Sequence, residues 1–335
     1  MCIRDRNSSG LAITINDSAA NMVANATALQ TLAAGLAHDT YTDGNGYTEN
    51  NNTLALTIND TAANVAANAT ALQALAAGLA QDTNDSGYHN NNTLALTISD
   101  SAANVAANAT ALQTLAAGLA QDTYYDGNNN TLTLTVNDSA ANVIATATAL
   151  QALASGLAQD TYGIKNNNTL TLTVNDSAAN VAANATALQT LAAGLALDTY
   201  AYTDLKGNHI TVNNNTLTLT VNDSAANVAA NATALQTLAA GLAQDTYGSY
   251  NNSNNTLALT INDSAANIVA NANALQSLAA GLAQAKYYNG FLYDNINTLD
   301  FTINDSAAHV TANATALQTL AALSLMVKSR VLMLS

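Results

Sequence analysis

The residues able to do chemistry are few and scattered. Four histidines, His38, His89, His209 and His309, sit at non-equivalent places and never at a metal-ligand or triad spacing. A recurring Asn-Asp-Ser triplet supplies Ser hydroxyls, but no base recurs beside them, and helix capping accounts for the Ser fully. The single cysteine, Cys2, lies in a leader outside the pattern. The chain is therefore read as non-enzymatic, with no organic cofactor implied. Asp39, Asp43, Asn45 and Glu49 form an oxygen-rich, Gly-containing stretch that calcium could use, but not in the ligand order of a twelve-residue calcium loop. Surface-turn chemistry explains the same residues. Of the thirteen Tyr, six (Tyr41, Tyr124, Tyr162, Tyr200, Tyr247 and Tyr287) share one equivalent position and read as an edge-covering column. The other seven, Tyr47, Tyr88, Tyr125, Tyr202, Tyr250, Tyr288 and Tyr293, lie among Asn, Gly, Asp and Ser in connections of unequal length. Rigid amphipathic Tyr on small polar loops is the composition of a recognition surface for a glycan or a protein; solvated connections share it.

Composition narrows the classes further. Of 335 residues 49% are hydrophobic and 9% charged, with no Pro, no Trp and a net charge of -15. An ordinary globular protein is roughly 25% charged. A single Cys excludes a disulfide scaffold and a zinc cluster. Nucleic-acid binding is excluded on charge, because phosphate neutralisation needs clustered bases. Between residues 10 and 322 the only bases are Lys165, Lys206 and Lys286. No membrane span is read in the sequence.

Internal recurrence organises the chain. The Asp of the triplet returns at Asp17, Asp60, Asp100, Asp138, Asp176, Asp223, Asp263 and Asp305, defining eight repeats. Their lengths differ only between the end of one motif and the Asn run opening the next, the signature of surface connections on one edge. Residues 1–9 and 323–335 stand outside the pattern. Met1 to Arg6 resembles adapter read-through of metagenomic libraries, and both ends are set aside from fold reasoning.

The second repeat serves as the pattern. Strict alternation from Thr53 to Asn59 predicts a half-buried strand, with Leu54, Leu56 and Ile58 on one face and Thr53, Ala55, Thr57 and Asn59 on the other. Asp60 or Thr61 can cap a following helix over about residues 61–77. Val65, Leu72, Leu75 and Leu79 share one face of it. Gly78 suits a left-handed helix end. Asn68 falls inside the apolar stripe and is expected to be a buried, hydrogen-bonded amide, repeated at Asn25, Asn108, Asn184, Asn231, Asn271 and Asn313, with Thr146 the exception.

Uncharged, Ala-rich helix flanks call for close side-by-side packing of successive repeats. The economical fold is an α/β repeat solenoid of eight strand-helix units, right-handed, with helices on one face of a largely parallel sheet. Strands repeat at ~4.8 Å and helices at ~8–10 Å, so the sheet must curve, or a second strand near Leu79 to Thr83 must flatten it. The alternative is a trimeric coiled-coil/β stalk, with Asn68 as a polar layer in a heptad seam. Thr133, Thr135, Thr171 and Thr173 suggest the Thr array of an ice-binding surface. Ala55, Ala95 and Ala258 interrupt it, the expected helix-set spacing mismatches a ~4.8 Å rung, and β-propensity explains Thr there.

The motif Asn-Asp-Ser-Ala-Ala-Asn-Val-Ala-Ala-Asn-Ala-Thr-Ala-Leu-Gln-Thr-Leu resembles the tandem S-D-T-A-A-N-I-x-x-N-x-x-A-L-Q-x-L repeats of large secreted bacterial surface and adhesin-like proteins. The likeness covers all eight repeats; it departs in the Asn or Ser before the Asp and in the long Asn runs. It implies an extracellular or cell-surface location and a structural or adhesive role, with self-association among the possible partnerships.

Overall fold

The computed structural model describes residues 11–38, 41–42, 48–49, 52–81, 92–121, 130–159, 168–197, 200–203, 209–212, 214–244, 255–285, 287–288, 293–294 and 297–327. The fold is α/β, with eight long parallel strands in one sheet, in chain order, each followed by helix. Two compact units partition the chain: Met1–Thr135 with Ala152–Leu170 and Tyr202–Gly207, and Val136–Gln151 with Thr171–Ala201 and Asn208–Ser335. In the first unit the strand of repeat 1 (Ala12–Asp17) pairs with that of repeat 2 (Thr53–Asp60), which pairs with that of repeat 3 (Thr93–Asp100). In the second unit Thr171–Asp176 of the repeat 5 strand (Thr169–Asp176) and the strands of repeats 6 to 8 (Thr216–Asp223, Thr256–Asp263 and Thr298–Ile303) pair in the same manner.

The alternation holds as expected. Leu54, Leu56 and Ile58 are fully buried, while Thr53, Ala55 and Thr57 are half-buried on the other face. Val65, Leu72, Leu75 and Leu79 are buried as well, joined by Ala62 and Ala76. Each large apolar side chain so buried stabilises the repeat by roughly 1.5–3 kcal/mol. With these positions turned inward within the chain, the internal repeats expose no heptad seam among the described residues, which removes the physical basis of the coiled-coil alternative.

Three local expectations are corrected. The helix is two helices, Ala62–Ala67 and Ala69–Gln81, broken at Asn68. Asn68 adopts φ -106°, ψ 7°, and its side-chain Nδ2 donates to the Asn64 carbonyl at 2.8 Å. A short polar side chain that satisfies a backbone carbonyl lets the helix bend there at little cost. Asn68 is thus a half-exposed bend residue, not a buried polar layer. Thr146 explains itself: its hydroxyl donates to the Asn142 carbonyl at 3.0 Å, doing the same work. Second, Gly78 lies inside the helix Ala69–Gln81 and does not end it. Third, residues 79–81 are helical, so no second strand begins at Leu79.

The spacing mismatch is resolved by register. Ile13 matches Leu56 in the repeat but pairs with Leu54; likewise Leu56 pairs with Leu94, Leu219 with Leu257 and Leu259 with Leu299. Each of these pairings is staggered by two residues. A shift of two keeps Leu over Leu and Thr over Thr, because the side-chain period is two. It also adds about 6.6 Å along the strand to about 4.8 Å across it, so equivalent residues lie about 8 Å apart. That distance falls within the ~8–10 Å spacing of packed helices. One strand per repeat therefore keeps step with its helices without a second strand.

Candidate functional site

The polar side chains of the motif meet at the junctions between repeats. Asp60 closes its own strand, and its Oδ1 accepts from Thr61 N at 2.8 Å and from Asn64 Nδ2 at 2.7 Å. Its Oδ2 accepts from Ala19 N, in the preceding repeat, at 3.0 Å. One carboxylate thus serves the first turns of two helices. Asp100 with Ala62, Asp176 with Ala140, Asp223 with Ala178, Asp263 with Ala225 and Asp305 with Ala265 repeat the arrangement at 3.0–3.1 Å. Thr61 is the cap proper, its Oγ1 accepting from Asn64 N at 3.3 Å. Both expected capping residues are used, and each has its own helix amides to satisfy.

Burial pushes the Asp60, Asp100, Asp223 and Asp263 carboxyls up, and hydrogen bonds more than offset it. The bonds come from the Asn four residues on, the next backbone amide and the preceding repeat's Ala, leaving each carboxyl below its ordinary value. In Asp305 the His309 ring bond, at 2.7 Å, leads the same downward shift. His309 therefore takes the place of the repeat's Asn as the carboxylate's partner. Carboxylates depressed by folding add stability that is fully present above the unfolded value of about 3.9 and is lost as pH falls through the folded values. The melting temperature is expected to hold from neutral pH down to about 5 and to drop below about 4. A flat calorimetric profile down to pH 3 would contradict this.

A second ladder joins each sheet edge to a helix end. Asn52, Asn92, Asn130, Asn168, Asn215, Asn255 and Asn297, each just before a strand, are the buried polar residues among the described residues. Asn52 Oδ1 accepts from Leu11 N at 2.8 Å while its Nδ2 donates to Leu36 O at 3.2 Å, both in the preceding repeat. Asn130 accepts from Leu94 N, Asn255 from Leu217 N and Asn297 from Leu257 N. The sequence pattern places these Asn at the opening of each repeat and assigns them no partner. Their internal recurrence at one place before every strand from repeat 2 onward was the available signal.

Gln and Gly make the third ladder. Gln30 Nε2 donates to Ala74 O at 3.0 Å, Gln73 to Thr114 O at 2.6 Å and Gln189 to Thr237 O at 2.7 Å, each in the following repeat. The Gln side chain lies across a Gly: a β-carbon at Gly78 would collide with Gln30, and one at Gly118 with Gln73. Gly is placed there for close approach, which corrects its expected role at a helix end.

The other candidates fall outside these ladders. Asp39, Asp43 and Asn45 lie outside the described residues, as do Tyr47, Tyr88, Tyr125 and Tyr250. Glu49 is in a short strand, Thr48–Glu49, antiparallel to Tyr41–Thr42. Tyr288 pairs with Tyr293 in a similar hairpin, and Tyr202 lies in the strand Tyr200–Thr203. Among the described residues no three His, Cys, Asp or Glu gather as a metal site, and no helix is long and apolar enough to cross a membrane. Comparison with protein-family models and with curated proteins gives no match to the chain.

Proposed function

We propose that the chain is a non-enzymatic structural array of a secreted or cell-surface bacterial protein, acting as a spacer or adhesive scaffold. The observation that carries this reading is the use of the repeat's polar side chains: the Asp, the Asn before each strand and the Gln are engaged in holding one repeat to the next. Groups committed to junctions serve neighbour-to-neighbour stability, the property on which a repeat array depends. The resemblance to tandem repeats of bacterial surface proteins supports the location. The variable connections, with Tyr202, Tyr288 and Tyr293, are the contact surface on the adhesive version of the reading.

The test places the 335-residue chain between a surface anchor and a reporter domain on a bacterial cell. A spacer lets the reporter reach a target that a short linker does not, and reach survives Tyr202→Ala and Tyr288→Ala. Adhesion without the reporter, abolished by those substitutions, would instead make the chain a binding module for a glycan or protein. Ice binding has one specific observation in its favour. The stagger sets Thr171 beside Thr216, and Thr218 beside both Thr173 and Thr256, at sheet spacing, so the spacing objection falls away, although Asp300 beside Thr260 puts a charge on the same face. Ice-affinity partitioning decides that reading.

A further inference from the structure

Asn-x-Ser/Thr is the acceptor sequence of asparagine glycosylation, and it recurs in two settings among the described residues. One is the triplet that joins strand to helix, as in Asn175-Asp176-Ser177; the other is the bend between the two helices, as in Asn184-Ala185-Thr186. The settings are alike in sequence and unlike in bonding. At the bend the side-chain nitrogen is engaged: Nδ2 of Asn68, Asn108, Asn184 and Asn231 donates to the carbonyl four residues back at 2.8 Å, and each of these residues is half-exposed. The triplet Asn is exposed instead, on the strand face opposite the buried Leu. Among the described residues Asn16, Asn137, Asn175, Asn222, Asn262 and Asn304 donate no hydrogen bond from Nδ2, whereas Asn59 donates to Asn16 Oδ1 at 3.2 Å.

The neighbours of the triplet Asn carry the structural bonds. Asp176 accepts from Ser177 N at 2.8 Å, from Asn180 Nδ2 at 2.7 Å and from Ala140 N at 3.0 Å, so a sugar on Asn175 breaks none of them. Ser177 is extended, with φ -69° and ψ 156°, and its Oγ accepts from Asn180 N at 3.2 Å. That bond uses the hydroxyl as acceptor and leaves its proton to be donated to a transferase that reads the triplet. Repeat 3 departs from the pattern, because Ser99 stands at the Asn place. A groove of about 410 Å³ lined by Asn59, Asp60, Thr61, Thr97 and Ser99 leaves room there for a longer side chain.

We propose that the triplet Asn are glycosylation sites: in the folded chain Asn16, Asn137, Asn175, Asn222, Asn262 and Asn304 accept a sugar from a nucleotide-activated donor, and the bend Asn do not. Nδ2 bonds to the anomeric carbon of the sugar while the bond from that carbon to the diphosphate oxygen breaks. The nucleoside diphosphate leaves, and the nitrogen gives up one of its two protons to a base of the transferase. A nitrogen already donating to a helix carbonyl has to break that bond first. The two-residue stagger spaces Asn175, Asn222, Asn262 and Asn304 about 8 Å apart, a row with room for one sugar on each. Such a row adds hydrated, uncharged bulk along the ends of the strands.

The test incubates the whole folded chain with UDP-glucose and a soluble transferase chosen because it glycosylates synthetic peptides 172–181 and 181–190 equally. Peptide mapping by mass spectrometry reads the occupancy of each Asn. Occupancy at Asn175 is expected to exceed that at Asn184 by about fivefold or more, the factor for one hydrogen bond that has to be broken. Ser99→Asn, which restores the repeat's own residue, gains a sugar in repeat 3. Asn175→Gln loses the one at its own triplet and keeps the circular dichroism of the parent chain. Equal occupancy at Asn175 and Asn184, or a folded chain with bare triplets, overturns the proposal. So does a Ser99→Asn chain that folds like the parent and stays bare in repeat 3.

Discussion

Asp100→Ala is expected to destabilise the chain by about 2–4 kcal/mol, since it removes a charged acceptor from the first turns of two helices at once. The carboxylate holds Ser101 N at 2.8 Å, Asn104 Nδ2 at 2.7 Å and, across the junction, Ala62 N at 3.0 Å. Loss of the last bond leaves a donor of repeat 2 without its acceptor and weakens the coupling of repeat 2 to repeat 3. In an array stabilised by neighbours, one weakened junction lowers the denaturation midpoint and broadens the transition. Asp17→Ala is the control, because among the described residues Asp17 serves the helix of its own repeat only. Its loss is expected to be about half as large, on the scale of a single cap. Urea titrations of the two variants check this, and equal losses would show that the cross-junction bond contributes nothing.

Leu112→Ala is expected to cost about 2–5 kcal/mol, the range for emptying a close-packed site that collapses only in part. Leu112 is fully buried. The equivalent residue of repeat 8, Leu317, lines an apolar groove with Ile268, Phe301 and Val310 and is half-exposed. Leu317→Ala is therefore expected to cost about 1 kcal/mol in the monomer, because less apolar area leaves water there on folding. The same chemical deletion at equivalent positions separates burial by the repeat itself from burial by the repeat that follows. Thermal melts at low protein concentration measure the difference; equal losses would mean that the following repeat adds no cover.

The strand alternation of Leu54, Leu56 and Ile58, the cap at Thr61 and the inward face of Val65, Leu72, Leu75 and Leu79 were legible in the sequence. They rest on periods of two and 3.6 residues that a single segment contains. The bend at Asn68 was not, because Ala-rich flanks promote helix on both sides and propensity does not show where a side chain will satisfy a carbonyl. The bonding of the buried Asn before each strand was not legible either, since Asn favours turns and its partners lie in the preceding repeat.

By itself, then, the sequence determined the number of repeats, the order of strand and helix within each, and which apolar residues turn inward, all from local pattern. Tertiary structure alone decided the two-residue stagger, the sharing of Asp60 between two helices and the seating of Gln30 across Gly78. Those features bring together residues about a whole repeat apart. Any even register keeps the apolar face inward, and only the meeting of strand spacing with helix spacing selects the shift of two.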